Sequence, residues 1–204
     1  MPFTLSHPAA VLPLLRAAGA RGPLVASALV AGSMAPDVPF FAESLLPGVY
    51  GHGGLTHRWW AVPTLDVAIA GALVAGWHGL LRGPAVALLP ERWAGAAEAL
   101  TVRRSAGAGD VGDTGTVGAG VGAGAGGAAW FAASAAIGAA THVGWDAFTH
   151  GGRLGVRLLP VLDRPVAGVP LYEVLQYGSS ALALAALGGW AARAARAAEP
   201  VRPA

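Results

Sequence analysis

The chain has 204 residues, enough for one domain, with 54 % hydrophobic and only 12 % charged residues, about half the charged share usual in a soluble domain. With a mean hydropathy of +0.55, this composition argues against an ordinary water-soluble globule and for one membrane-embedded helical domain over 1–204. Cysteine is absent and the net charge is +2, so disulfides and thiolate ligands are excluded, and any metal must rest on His, Asp, Glu or water. Every one of the 13 basic residues is Arg, and no basic stripe interleaves with aromatics, which sets nucleic acid aside.

The first element expected is a helix of about three turns from His7 to Ala18, capped by Thr4 or Ser6, with Pro8 in its first turn. Gly19 to Pro23 reads as a turn. Leu24 to Ala35 is a second apolar helix, stopped by Pro36-Asp37-Val38-Pro39. At 1.5 Å per residue each is roughly 18 Å long, too short for a bilayer core of about 30 Å. The two form a short antiparallel hairpin, re-entrant or packed inside the bundle. Phe40 to Gly54 reads as an aromatic loop. Ala61 to Leu81 is the first spanning helix, with Trp59 and Trp60 as its interfacial belt. Arg82 to Leu100 is amphipathic and broken by proline. Residues 103–127 are low complexity, Gly- and Ala-rich, and read as a flexible linker. Val121 to Gly144 is a second span and Ser179 to Ala198 a third, the latter continuing a helix begun at Leu171.

The fold class this implies is all-α: a polytopic membrane helical bundle with a short N-terminal helical hairpin and about three spanning helices. Up-and-down topology then gathers polar residues at one membrane face. His7 and Asp37 lie at the open end of the hairpin, and His57 opens the first span. His142, Asp146 and His150, each four positions after the last, share one helical face. Glu173 and Gln176 precede the last span at the same end. Polar groups inside a membrane bundle are functional by default, and His with carboxylate is the ligand set of zinc and several other divalent ions. Arginines number four on the site side (Arg58, Arg153, Arg157, Arg164) against nine on the other, so the positive-inside rule faces the site outward. Asp66, His78 and Asp163 have no partner identifiable in the sequence and read as structural or solvated.

The motifs MPFTLSHPAAVLPL, SALVAGSMAPDVPFF, GHGGLTHR, THVGWDAFTH and PLYEVLQYGSS occur in that order. As a set they resemble the bacterial membrane family called domain of unknown function 4184, over most of the chain except residues 82–128. That family is itself distantly similar to membrane-bound metal-dependent hydrolases and, more loosely, to zinc-dependent phospholipase C. The resemblance implies a multi-pass protein of the bacterial cytoplasmic (inner) membrane. It also implies His7, Asp37, His57, His142 and Asp146 as ligand candidates. One departure is Tyr177, where the family pattern places a His after the Gln.

The chemistry that follows is hydrolysis assisted by a divalent metal, zinc first, on a lipid or lipid-linked ester at the membrane face. A bound metal lowers the pKa of water toward about 7. His142 and Asp146 act as ligands from one helix, and Asp37 and His7 complete or bridge the site. His57 or Glu173 is a ligand or the general base, which the sequence does not separate. Arg58 holds a substrate phosphate or carboxylate, or simply snorkels to the interface. The alternatives are a structural membrane protein tied together by His/Asp bonds, and an ion- or proton-handling protein using the same cluster.

Overall fold

The computed structural model describes residues 4–16, 19–49, 51, 53–90, 93–95, 97 and 125–197. The chain is mostly helical, as an all-α class requires. The first segment is not the expected α-helix. Thr4–Leu14 is a 3-10 helix carrying Pro8 and Pro13, which remove two backbone donors an α-helix would use. It passes into a two-residue hairpin, β1 (Leu15–Arg16) pairing antiparallel with β2 (Gly19–Ala20). Thr4 and Ser6 do not cap: Thr4 Oγ1 donates to Asp37 Oδ2, and Ser6 Oγ lies 3.4 Å from Ser180 Oγ.

Helix α1 (Ala26–Met34) ends in a 3-10 turn, Ala35–Asp37. The expected loop after it contains α2 (Val38–Ala42) and α3 (Gly53–Thr56). The first span appears as α4 (Leu65–Gly76), a π turn (Trp77–Leu81) and α5 (Arg82–Ala87) in unbroken succession. Most of the expected linker lies outside the described residues, and residues 125–127 of it already belong to α6 (Ala125–Thr149). After α6 come α7 (Leu154–Leu158), a 3-10 turn (Pro160–Asp163) and a hairpin of β3 (Pro165–Val166) with β4 (Val169–Pro170). The hairpin turns through positive φ at Ala167 and Gly168. The last helix, α8, runs Leu171–Ala197. Among the described residues, one helical stretch, Leu65–Ala87, is long and apolar enough to cross a membrane. Helices also run through the other two expected spans, but both are rich in Gly and Ala.

Helix α1 sits at the centre, packed against α6, α4 and the N-terminal segment, while α8 packs on the N-terminal segment and α6. The core is built of small residues: Val25, Ala28, Ala31, Ala35, Ala70, Val74 and Ala135. Small side chains let backbones approach closely, and here the approach is extreme. A Cβ on Gly32 would fall on the Ala135 carbonyl, and one on Gly138 would fall on the Leu29 carbonyl. Ser134 stitches the seam from α6. Its Oγ accepts the Val25 amide at 2.9 Å and donates to the Trp130 carbonyl at 2.6 Å, satisfying a donor at the start of α1 that the helix cannot.

Candidate metal centre

Four residues from three separate stretches converge. Asp37 lies in the turn that ends α1, His57 just beyond α3, and His142 and Asp146 one turn apart on α6. One ligand atom from each lies within 4.8 Å of the other three. Asp37 and Asp146 are each 2 % exposed, His142 0 % and His57 9 %.

Local hydrogen bonds aim these groups. His142 Nδ1 is 2.7 Å from the Ser33 carbonyl. A carbonyl only accepts, so Nδ1 carries the hydrogen and Nε2 presents its lone pair inward. His57 is fixed the same way, Nδ1 donating to the Gly53 carbonyl at 2.8 Å. Thr56 holds that loop by donating to the Pro36 carbonyl at 2.6 Å, beside Asp37. Thr4 occupies the outer oxygen of Asp37, leaving Oδ1 for the cluster. Metal-ligating imidazoles usually donate their second N–H to a carbonyl or carboxylate in this way.

The inward atoms are close but not bonded to one another. His57 Nε2 lies 3.5 Å from Asp37 Oδ1 and 3.3 Å from Asp146 Oδ2. His142 Nε2 lies 3.4 Å from Asp37 Oδ1 and 3.6 Å from Asp146 Oδ2. Most of these spacings exceed an ordinary hydrogen bond. His142 Nε2 and Asp146 Oδ1 are buried without any hydrogen-bond partner. Two carboxylates and two neutral imidazoles carry a formal charge of −2, which a divalent cation balances. Burial alone would raise the Asp37 carboxyl, but the His142 and His57 imidazoles close beside it outweigh burial and hold it well below the usual carboxylate range. Burial pulls His57 down, yet Asp146 and Asp37 outweigh it and raise it. The cluster is therefore built to hold positive charge, as protons or as a metal ion, and the donor set fits zinc, manganese, iron or cobalt.

His7 adjoins the four. Its ring stacks on that of His142, with centroids 3.6 Å apart and planes 18° apart, and its Nε2 lies 3.7 Å from Asp146 Oδ1. Burial, with His142 beside it, lowers its pKa to about 4, so it is neutral near pH 7. His150 Nδ1 lies 3.6 Å from Asp146 Oδ1, and its Nε2 is 3.2 Å from Gln176 Nε2.

Glu173 stands half-buried on the first turn of α8, and no contact joins it to the cluster among the described residues. Arg58 is exposed, next to an 84 % exposed Trp59. The arginine whose charge reaches His57 and His150 is instead Arg153, which the sequence hid in a glycine turn. Asp66 is not solvated: it is 0 % exposed, and neither carboxylate oxygen has a hydrogen-bond partner. Tyr177 is 55 % exposed, so position 177 belongs to the surface and not to the buried cluster.

A helical bundle enclosing a His/Asp cluster drawn from distant stretches is thus the class of protein seen here. The family model described as "Domain of unknown function (DUF4184)" matches residues 1–203, and the chain belongs to that family. No curated protein and no solved structure matches the chain.

Proposed function

We propose that the protein is a metal-dependent hydrolase of the bacterial inner membrane, acting on a lipid or lipid-linked ester at the membrane face. The observation that carries this reading is the convergence of Asp37, His57, His142 and Asp146 within 4.8 Å, with both histidines turned inward by backbone carbonyls. A divalent ion held there, zinc first, supplies Lewis acidity to an ester carbonyl or phosphoryl oxygen. The protein's own part is to hold the ligands in a dry pocket and to place cationic side chains at its rim. Arg153 suits an anionic substrate group at the inner edge and Arg58 one at the surface. Glu173 is the candidate general base, because His57 is already among the converging ligands.

The apolar surface supports the membrane setting. Only 17 % of the most apolar part of Leu65–Ala87 is buried, and Leu80, Leu81 and Leu88 are 76 %, 60 % and 86 % exposed. Leaving such side chains in water forgoes about 1.5–3 kcal/mol each, and a contiguous patch of them marks a membrane or partner surface. Helices α6 and α8, 25 and 27 residues long, reach roughly 37–40 Å, enough to cross. Their outward Trp130, Trp145 and Leu182 are exposed, which favours three spans.

The test is the metal content of detergent-purified protein by elemental analysis, beside His142→Ala and Asp146→Asn checked for folding. Near-stoichiometric metal in the wild type, lost from both folded variants, followed by metal-dependent cleavage of phospholipid esters that Glu173→Gln slows, is the expected result. A folded, metal-reloaded wild type that retains none overturns it and leaves a cluster that is structural or carries protons.

A further inference from the structure

The two oxygens of Asp146 face different partners. Oδ2 looks toward His57 Nε2 at 3.3 Å and His142 Nε2 at 3.6 Å, the side on which Asp37 completes the four-residue set. Oδ1 looks toward His7 Nε2 at 3.7 Å and His150 Nδ1 at 3.6 Å. His7 Nε2 and Asp146 Oδ1 are both buried with no hydrogen-bond partner, and their residues are 5 % and 2 % exposed. Two buried polar atoms 3.7 Å apart and both without a hydrogen-bond partner cost free energy unless something satisfies them.

We propose that Asp146 is a bridging carboxylate between two divalent metal sites, the second formed by Asp146 Oδ1, His7 Nε2 and His150 Nδ1. The inference rests on the metal-centre reading above and extends it from one ion to a pair. The two sites differ in kind. The first has four protein ligands and would admit a substrate oxygen only by expanding to five. The second has three and keeps a position free, as catalytic sites do. It is also the more open one: the His150 side chain is 24 % exposed, and a cleft of about 160 Å³ walled by Ser6, Ala10, Trp145 and Ser179 reaches His7, alone of the three ligands.

His150 as a ligand must have its hydrogen on Nε2. Gln176 permits this. Its amide, turned so that the oxygen faces His150, accepts from Nε2 across the same 3.2 Å, and amide orientation follows the hydrogen-bond network. As placed, Nδ1 faces the Asp146 carbonyl at 3.3 Å and Thr149 Oγ1 at 3.4 Å and carries the ring hydrogen, so an ion bound there would move that hydrogen to Nε2 as the Gln176 amide turns. Such a pair, held by these residues, would suit a substrate with an anionic oxygen, as paired metals do in phosphatases and nucleases. The cleft walls of alanine, serine and tryptophan suit a narrow apolar chain attached to it.

The experiment is zinc titration of full-length detergent-purified protein after chelation, with stoichiometry by elemental analysis and magnetic coupling read on a cobalt-loaded sample. The wild type should bind two ions per chain with coupled cobalt spectra. His150→Gln, at a partly exposed position, should bind one with an uncoupled spectrum, and His7→Ala the same wherever it folds. A wild type that saturates at one ion, lost in His142→Ala but unchanged in His150→Gln, overturns the pair and leaves the single centre standing. Two ions retained in His150→Gln overturns the assignment of the second site. No zinc in the wild type overturns both readings.

Discussion

The seam between α1 and α6 and the helix Leu65–Ala87 are both apolar, yet they are built by opposite rules. The seam is made of Ala, Gly and Ser, and its two backbones nearly touch at Gly32 and Gly138. Leu65–Ala87 carries large side chains turned outward, with few of them buried. Large apolar groups say which medium surrounds a helix. Small ones say how near its neighbour comes, and here that distance sets chemistry, because it brings the Ser33 carbonyl to His142 Nδ1. The seam is therefore the precise part of the molecule and the outer helix the tolerant part.

On the proposed metal reading, the largest effect should come from metal removal. An ion held at a thousandfold excess over its Kd stabilises the fold by about 4 kcal/mol. Chelation should thus lower Tm by roughly 10 °C, and hydrogen exchange should show α6 and the Asp37 turn loosening more than Leu65–Ala87. Uniform loosening would break the distinction drawn between the two regions. Next is Gly138→Ala, which has no room for its methyl and should cost about 3 kcal/mol. Gly144→Ala on the same helix meets nothing within 4 Å and should be neutral or stabilising by up to about 1 kcal/mol. Denaturation of the two variants side by side separates a backbone-contact effect from general intolerance of α6. Ser134→Ala removes the cross-seam acceptor of the Val25 amide and should cost about 1 kcal/mol. Last, Leu80→Ala on the outer helix should change stability in detergent by less than about 0.5 kcal/mol; a larger loss would place Leu80 in a packed interface.

Much of the cluster could be read from the chain because its residues announce themselves. His142, Asp146 and His150 repeat at helical spacing, and Asp37 and His57 flank breaks in apolar runs. The deeper logic could not. Nothing in the spacing distinguishes His57, which lies in the cluster, from Glu173, for which no contact with it is found. The orienting carbonyls of Ser33 and Gly53 are backbone atoms, identical in every residue type. The depth of Asp66 in the first span already turned it toward the interior, where it is fully buried, but its lack of any hydrogen-bond partner there could not be read from the chain. The fold failed to show itself where proline intervened. Pro8 and Pro13 turned an expected α-helix into a 3-10 segment, and that segment places Thr4 on Asp37 and His7 against His142. Arg153 was placed on the site side with three other arginines, but nothing in a glycine-rich turn marked it out as the one whose charge reaches His57 and His150.

The hydrogen bond from His142 to Ser33 joins residues 109 positions apart. Contacts so distant in sequence carry a loop-closure cost and slow folding. While the chain is still being synthesised, Asp37 and His57 are present and both α6 ligands are missing, so the nascent N-terminal half offers an ion only two of four donors. On the proposed metal reading, an ion would meet all four donors only once α6 has docked on α1.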